Sequence, residues 1–206
     1  DIGAYTGVYS LVACAANPRA RVVTFEPVPR IYRRLVANLE LNQLTERCQA
    51  HNMAVSNRTG SARLHVPHTA LPGSSSLSET GFRNLPGQPI DIATTAIDDA
   101  IAEDDRVDLI KLDVEGFEHH ALQGMERVLG RDRPALIFEC NPDGPHREVE
   151  TLLRRHEYLF FHLRERGPVR MHTLVPDPDE RYRNYACAPA ENEALLAVLG
   201  ALLPRQ

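Results

Sequence analysis

From Val8 onward the chain repeatedly trades short runs of β-branched and apolar residues for longer stretches with apolar residues at helical spacing. This alternation constrains the fold more than any other feature. Val8 to Ala16 reads as a helix, Val22 to Glu26 as a strand closed by Pro27, and Pro29 to Leu41 as a helix carrying Ile31, Leu35 and Leu39 on one face. Cys48 to Val55 predicts a strand, Asn57 to Gly60 a turn and Ser61 to Val66 a short antiparallel return. Val107 to Val114 is a buried-strand run, and Phe117 to Leu129 predicts one helix stopped by Gly130. Ala135 to Cys140, Pro145 to His156, Tyr158 to Leu163, Asn184 to Ala188 and Glu191 to Leu203 continue as strand, helix, strand, strand and helix. Such a series predicts an α/β fold: a doubly wound, mostly parallel sheet with helices on both faces.

No repeat or linker divides the 206 residues, so residues 1–206 read as a single domain. His68 to Pro89, where Pro, Gly and Ser collect, reads as a long surface loop within it. In folds of this kind a glycine-rich turn follows the first strand, yet Asp1 already belongs to the turn. The expectation is therefore a domain truncated at its N-terminus, with the first, central strand outside the chain.

A formal charge of -5 supplies no broad cationic surface for counterion release, so no nucleic-acid partner is expected. The longest apolar stretch, Ala194 to Leu203, is far short of the roughly 20 residues that span a bilayer. Cys14, Cys48, Cys140 and Cys187 are scattered without a C-x-x-C pair, which reads as free thiols in a reducing, cytoplasmic setting. None of the nine histidines stands in H-E-x-x-H spacing. The sequence leaves the oligomeric state open.

Asp1-Ile2-Gly3-Ala4-Tyr5-Thr6-Gly7 leads into the first helix, where Gly3 allows a tight turn and Gly7 a close backbone approach. The dinucleotide fingerprint would need glycines at 3, 5 and 8; Tyr5 and Val8 occupy the last two, which disfavours a nicotinamide cofactor. Glu26 ends the next strand roughly 20 residues after the turn, where an acid in a doubly wound fold accepts hydrogen bonds from ribose hydroxyls.

With these residues the chain resembles the FkbM-type family of S-adenosylmethionine-dependent methyltransferases. DIGAYTG is similar to its first motif, VTFEP to its ribose-binding strand end, and VDLIKLDVEGFE with ALIFE to its later core strands. The resemblance covers most of Asp1 to Asn141 and implies a class I methyltransferase, Rossmann-like fold that delivers a methyl group to a hydroxyl oxygen. It places cofactor contacts on Asp1, Gly3, Ala4, Gly7, Glu26, Asn52 and Ala54. Gly73-Ser74-Ser75-Ser76-Leu77 resembles a small-residue stretch of the family that closes over the cofactor; a plain surface loop is the alternative.

The residues themselves point to a second cluster. Strand alternation puts Lys111, Asp113 and Glu115 on one side, and Gly116 frees the backbone to turn. Glu139 ends the next strand beside Asn141. Asp113, Glu115 and Glu139 are the candidate catalytic residues, able with Asn141 to surround a hydroxyl substrate or a divalent cation. Methyl transfer needs an aligned acceptor and a group to take its proton. A carboxylate can do so, as can one of His119 and His120, which cannot share a helix face. The alternative for Glu115, and for Glu118, is an acid in the first turn of the following helix, favoured there by its dipole. Arg164, Arg166, Arg170 and Arg181 read as a solvated rim, and Tyr158, Phe160 and Phe161 as core.

The leading expectation is an S-adenosylmethionine-dependent O-methyltransferase acting on a small-molecule, natural-product or glycan hydroxyl. Its rivals are a nicotinamide-dependent oxidoreductase and a non-catalytic partner-binding domain that keeps the fold.

Overall fold

The computed structural model describes residues 1–67 and 87–201. The small-residue stretch at Gly73–Leu77 lies outside them. The elements run α1 (Val8–Ala16), β1 (Val22–Phe25), α2 (Pro29–Leu41), β2 (Cys48–His51), β3 (Ala54–Val55), β4 (Gly60–Pro67), β5 (Gly87–Thr95) and α3 (Ile97–Ala100). They continue with β6 (Leu109–Leu112), α4 (Glu118–Gln123), α5 (Glu126–Arg131), β7 (Ala135–Glu139), α6 (His146–Arg155), β8 (Tyr158–Arg164), β9 (Gly167–Met171), β10 (Asn184–Pro189) and α7 (Glu193–Ala201).

One side of the main sheet pairs β2 with β1 in parallel, and the other runs β6-β7-β10-β8-β9. Asp1–Gly3 join them. Asp1 N donates to Val23 O at 2.9 Å, Phe25 N to Asp1 O at 2.9 Å and Gly3 N to Phe25 O at 3.0 Å. On its other edge Ile2 N donates to Lys111 O at 2.8 Å, and Ile2 O accepts from Asp113 N at 3.0 Å. Bonds to alternate sides are the pattern of a strand between two parallel neighbours. The central position between β1 and β6 is thus held by Ile2, which is 2% exposed.

Alternation along the strands sorts side chains onto two helical layers. Val23 and Phe25 pack with Leu122, Met125 and Val128, whereas Val22 and Ala50 pack with Cys14, Leu35 and Leu39. At the far side Tyr185, Cys187 and Phe160 join the α4–α6 layer, while Ala186, Ala188 and Phe161 meet Leu195, Leu196 and Leu199 of α7. Helices on both faces follow from period-2 burial of the strands.

Several sequence expectations are corrected. The sheet is mostly parallel as expected, but it ends in an antiparallel part that the sequence did not announce: β10 runs antiparallel to β7 and β8, and β9 antiparallel to β8. The hairpin strand β9 was not foreseen. Cys48–Val55 is two strands, because Asn52 turns its side chain to Glu26 O and Pro27 O, at 2.8 and 3.0 Å, and β3 leaves to pair with β5. The antiparallel partner of β4 is likewise β5, so the Gly87 to Pro89 end of the expected loop lies in a strand, and the rest of that expectation falls outside the described residues. Phe117–Leu129 is two helices, and Gly130 falls inside the second. The break arises where the carboxylate of Asp98 accepts the N–H groups of Arg127 and Val128, at 2.8 and 3.1 Å, capping α5 from outside the helix.

Candidate functional site

A cavity of about 440 Å³ opens at the carboxyl ends of the central strands, the place where open α/β sheets hold ligands. Three segments form its wall. Gly3, Ala4 and Tyr5 follow the central residue Ile2; Phe25, Glu26 and Pro27 end β1; Lys111, Asp113, Val114 and Glu115 end β6. Glu139 enters from β7 and Arg183 from the approach to β10.

The opening turn has its shape because no side chain fits beneath it. Gly3 has φ 73°, and a Cβ there would stand 1.7 Å from the carbonyl oxygen of Asp113. Gly7, at φ 87°, is the N-cap of α1 and lies against Leu35 instead of the cavity. Asp1 also turns away: its Oδ2 accepts from Ser10 N and Ser10 Oγ at 3.2 and 2.7 Å, fixing the first turns of α1. Asn52 braces the backbone of Glu26 and Pro27, as above. Of the expected cofactor contacts, Gly3, Ala4, Glu26 and Ala54 line the cavity, whereas Asp1, Gly7 and Asn52 hold the segments that do.

Glu26 is 5% exposed. Its Oε2 accepts from Tyr5 N and its Oε1 from Val28 N, each at 2.9 Å, so the carboxylate ties the opening turn to the end of β1. Burial pushes its pKa up to about 7, against the pull of those two N–H groups. Each oxygen keeps acceptor capacity beyond the one N–H it takes.

Lys111, the one lysine of the sequence, is 9% exposed. Its ammonium donates to Gly3 O at 3.1 Å and Asp113 Oδ2 at 3.2 Å, lies 3.9 Å from Asp1 Oδ1, and sits 4.9 Å from the centre of the Tyr9 ring. Beyond it, carboxylate oxygens of Asp113, Glu115 and Glu139 lie within 4.8 Å of one another. Arg183 Nη1 meets Glu139 Oε1 at 3.1 Å, and Asn141 Nδ2 donates to Glu139 Oε2 at 3.0 Å. All three expected catalytic residues therefore meet in one place. Hard oxygens at this separation suit a hydroxyl donor or a divalent cation, and two neighbouring cations already offset part of their charge.

Other candidates fall elsewhere. His119 and His120 stay out of the cavity; His120 stacks on Phe117 at 4.2 Å between ring centres. Arg164, Arg166, Arg170 and Arg181 do not line it, and Tyr158, Phe160 and Phe161 are core. Sequence reasoning missed Arg183, which reaches the site because Asn184 pairs with Glu139, a register no local pattern announces. Glu118 does stand in the first turn of α4, but its buried carboxylate accepts from Val114 N and Gly116 N at 3.4 and 3.2 Å, contacts that its helix position does not announce. The apolar wall of Tyr5, Val8, Tyr9, Met53 and Leu64 was not foreseen either.

Comparison with known proteins places this geometry among methyltransferases. The family model of the methyltransferase FkbM domain matches residues 1–160. The methyltransferase sdnD of Sordaria araneosa is 28% identical over 183 residues, covering 74% of this chain and 70% of that protein. The 31-O-demethyl-FK506 methyltransferase FkbM of Streptomyces tacrolimicus is 28% identical over 186 residues, covering 77% and 71%. The crystal structure of a methyltransferase FkbM from Methylobacillus flagellatus KT shares the fold with a TM-score of 0.57 at 22% identity, over 91% of this chain. The chain spans 42% of that structure's length. The architecture is thus the Rossmann-like α/β fold of class I methyltransferases.

Proposed function

The chain belongs to the methyltransferase FkbM domain family, and from that premise we propose that it carries a methyl group from S-adenosylmethionine to a hydroxyl oxygen of a small molecule, natural product or glycan. The observation that carries this reading is the cavity itself, which joins the buried acceptor Glu26 and the side-chain-free turn at Gly3 to the carboxylates of Asp113, Glu115 and Glu139.

The residues fit the cofactor. A backbone turn cleared of side chains and an acid with spare acceptor capacity suit the adenosyl part, with Glu26 facing the ribose hydroxyls and Gly3, Ala4 and Ala54 forming the close wall. When bound, S-adenosylmethionine supplies an electrophilic methyl group on a sulfonium. The chain's part is to bring the acceptor oxygen into line and to receive its proton on one of the Asp113, Glu115 and Glu139 carboxylates as the C–O bond forms and the methyl–sulfur bond breaks, with S-adenosylhomocysteine as the leaving group. A divalent cation on the same oxygens would serve the same end by lowering the acceptor's pKa.

An oxygen acceptor is supported by the relative from Streptomyces tacrolimicus, whose name puts the methyl on O-31 of its substrate. Among the described residues no helix is long and apolar enough to cross a membrane. Four buried free thiols support a reducing location such as the cytoplasm. The nicotinamide reading has no such support. Labelled methyl transfer from S-adenosylmethionine to a panel of polyketide, sugar, lipid and peptide hydroxyls tests the proposal. Cofactor binding without transfer to any of them would favour a non-catalytic domain.

A further inference from the structure

The turn that carries two of the three clustered carboxylates does not hold its own shape. Glu115 has φ 51° and Gly116 φ 88°, two successive residues in the left-handed region. A non-glycine residue stays there only where its surroundings fix it. The turn also points N–H groups inward, and buried backbone donors need acceptors. Both needs are met by Glu118, which is 3% exposed. Its Oε1 takes the N–H of Val114 at 3.4 Å and of Gly116 at 3.2 Å. An apolar side chain of similar size would fill the space and leave those donors unpaired.

We infer that Glu118 is a positioning residue, whose buried carboxylate clamps the Asp113–Gly116 turn and thereby sets the directions in which Asp113 and Glu115 present theirs to the cavity. The role of that cavity rests on the function proposed above; the clamp does not. Glu118 lines no part of the cavity and acts through its neighbours. Carboxyl oxygens as acceptors are what matters, so an amide with one carbonyl oxygen can replace them at Val114 and Gly116, while a methyl group cannot.

Two measurements on the full chain test this. The first is amide hydrogen exchange. In the wild type the Val114 and Gly116 amides are expected to exchange at least about tenfold more slowly than an unstructured peptide, as buried hydrogen-bonded donors do. Glu118→Ala should speed both by about tenfold to a hundredfold, the range for a lost bond to a charged acceptor, and Glu118→Gln should restore protection. Peptide-like exchange in the folded wild type overturns the clamp even if the alanine variant fails to fold. The second is calorimetric affinity for S-adenosylmethionine and for S-adenosylhomocysteine, which differ by the cationic methyl sulfonium. Displacing the Asp113 and Glu115 carboxylates should lower the preference for the cationic form by about threefold or more in Glu118→Ala, with recovery in Glu118→Gln. An unchanged ratio in a folded Glu118→Ala protein overturns the positioning role. Failure of the wild type to bind either compound would instead overturn the proposed function, leaving amide exchange to judge the clamp.

Discussion

The ammonium of Lys111 lies 3.2 Å from the carboxylate of Asp113 and 3.1 Å from the carbonyl of Gly3, so a single side chain joins the end of β6 to the opening turn. Both segments line the cavity. Lys111→Met keeps the length of the side chain and removes the charge, leaving the Asp113 carboxylate and the buried Asp1 Oδ1 without their cation. Breaking a buried pair costs about 3 to 5 kcal/mol, and water reaching Asp113, 37% exposed, reduces this to about 2 to 3. Urea melts should show that loss, and Lys111→Met combined with Asp113→Asn should recover part of it. A melt unchanged in the single variant would mean that the pair does not hold the turn.

Glu26 accepts two backbone N–H groups and faces the cavity. Glu26→Ala is expected to weaken S-adenosylmethionine and S-adenosylhomocysteine alike, because the ribose is common to both. A contact worth about 1.5 to 3 kcal/mol corresponds to about tenfold to a hundredfold in affinity. Calorimetry that finds both dissociation constants unmoved would take Glu26 out of the site.

What the sequence disclosed and what it withheld divide along a physical line. Glu26, Asp113, Glu115 and Glu139 were readable because parallel strands bring their carboxyl ends to one edge, so acids just past each strand converge there without any knowledge of register. Helix α2 was legible to the residue from Pro29 at its first position and Ile31, Leu35 and Leu39 at helical spacing. Arg183 was not, since its place depends on β10 lying antiparallel beside β7. Nor was the break between α4 and α5, where Asp98, distant in sequence, supplies the cap. Glu118 looked like an ordinary first-turn acid, and only the inward N–H groups of a left-handed turn show why it is buried.

Glu26 and Glu118 also make stability depend on pH. Burial raises each from 4.5 to about 7 in the folded chain. The folded state then holds the proton more tightly than the unfolded chain, so the contribution is complete below pH 4.5 and lost as pH rises through about 7. The difference corresponds to an order of about 3 kcal/mol per group. Glu118→Gln removes one such group while keeping an acceptor for Val114 and Gly116. Its stability relative to the wild type, from urea melts at pH 5 and pH 8, should therefore improve by about 2 to 3 kcal/mol on the alkaline side. A difference that stays constant across that range would mean that Glu118 titrates at its ordinary value.

Asp113 joins the two halves of the proposed chemistry, since it shares the carboxylate cluster with Glu115 and Glu139 while its backbone carbonyl lies beneath Gly3. Asp113→Asn keeps the shape and the carbonyl and removes the base. Under the proposed function the loss falls on methyl transfer, at about 10² to 10⁴ in rate for a positioned proton acceptor. Affinity for S-adenosylmethionine should change far less, because the ribose and the adenosyl wall are held by other residues. Single-turnover transfer to the acceptor hydroxyl found by the panel, set beside calorimetry, separates the two. Repeating the assay with a chelator, and then with Mg²⁺ or Mn²⁺ restored, distinguishes a carboxylate that takes the proton from one that holds a cation. Activity indifferent to the chelator leaves the proton acceptor alone; activity lost and then restored by the metal makes Asp113, Glu115 and Glu139 its ligands. Turnover unaffected in Asp113→Asn would remove Asp113 from the reaction in either form and shift the proton to Glu115 or Glu139.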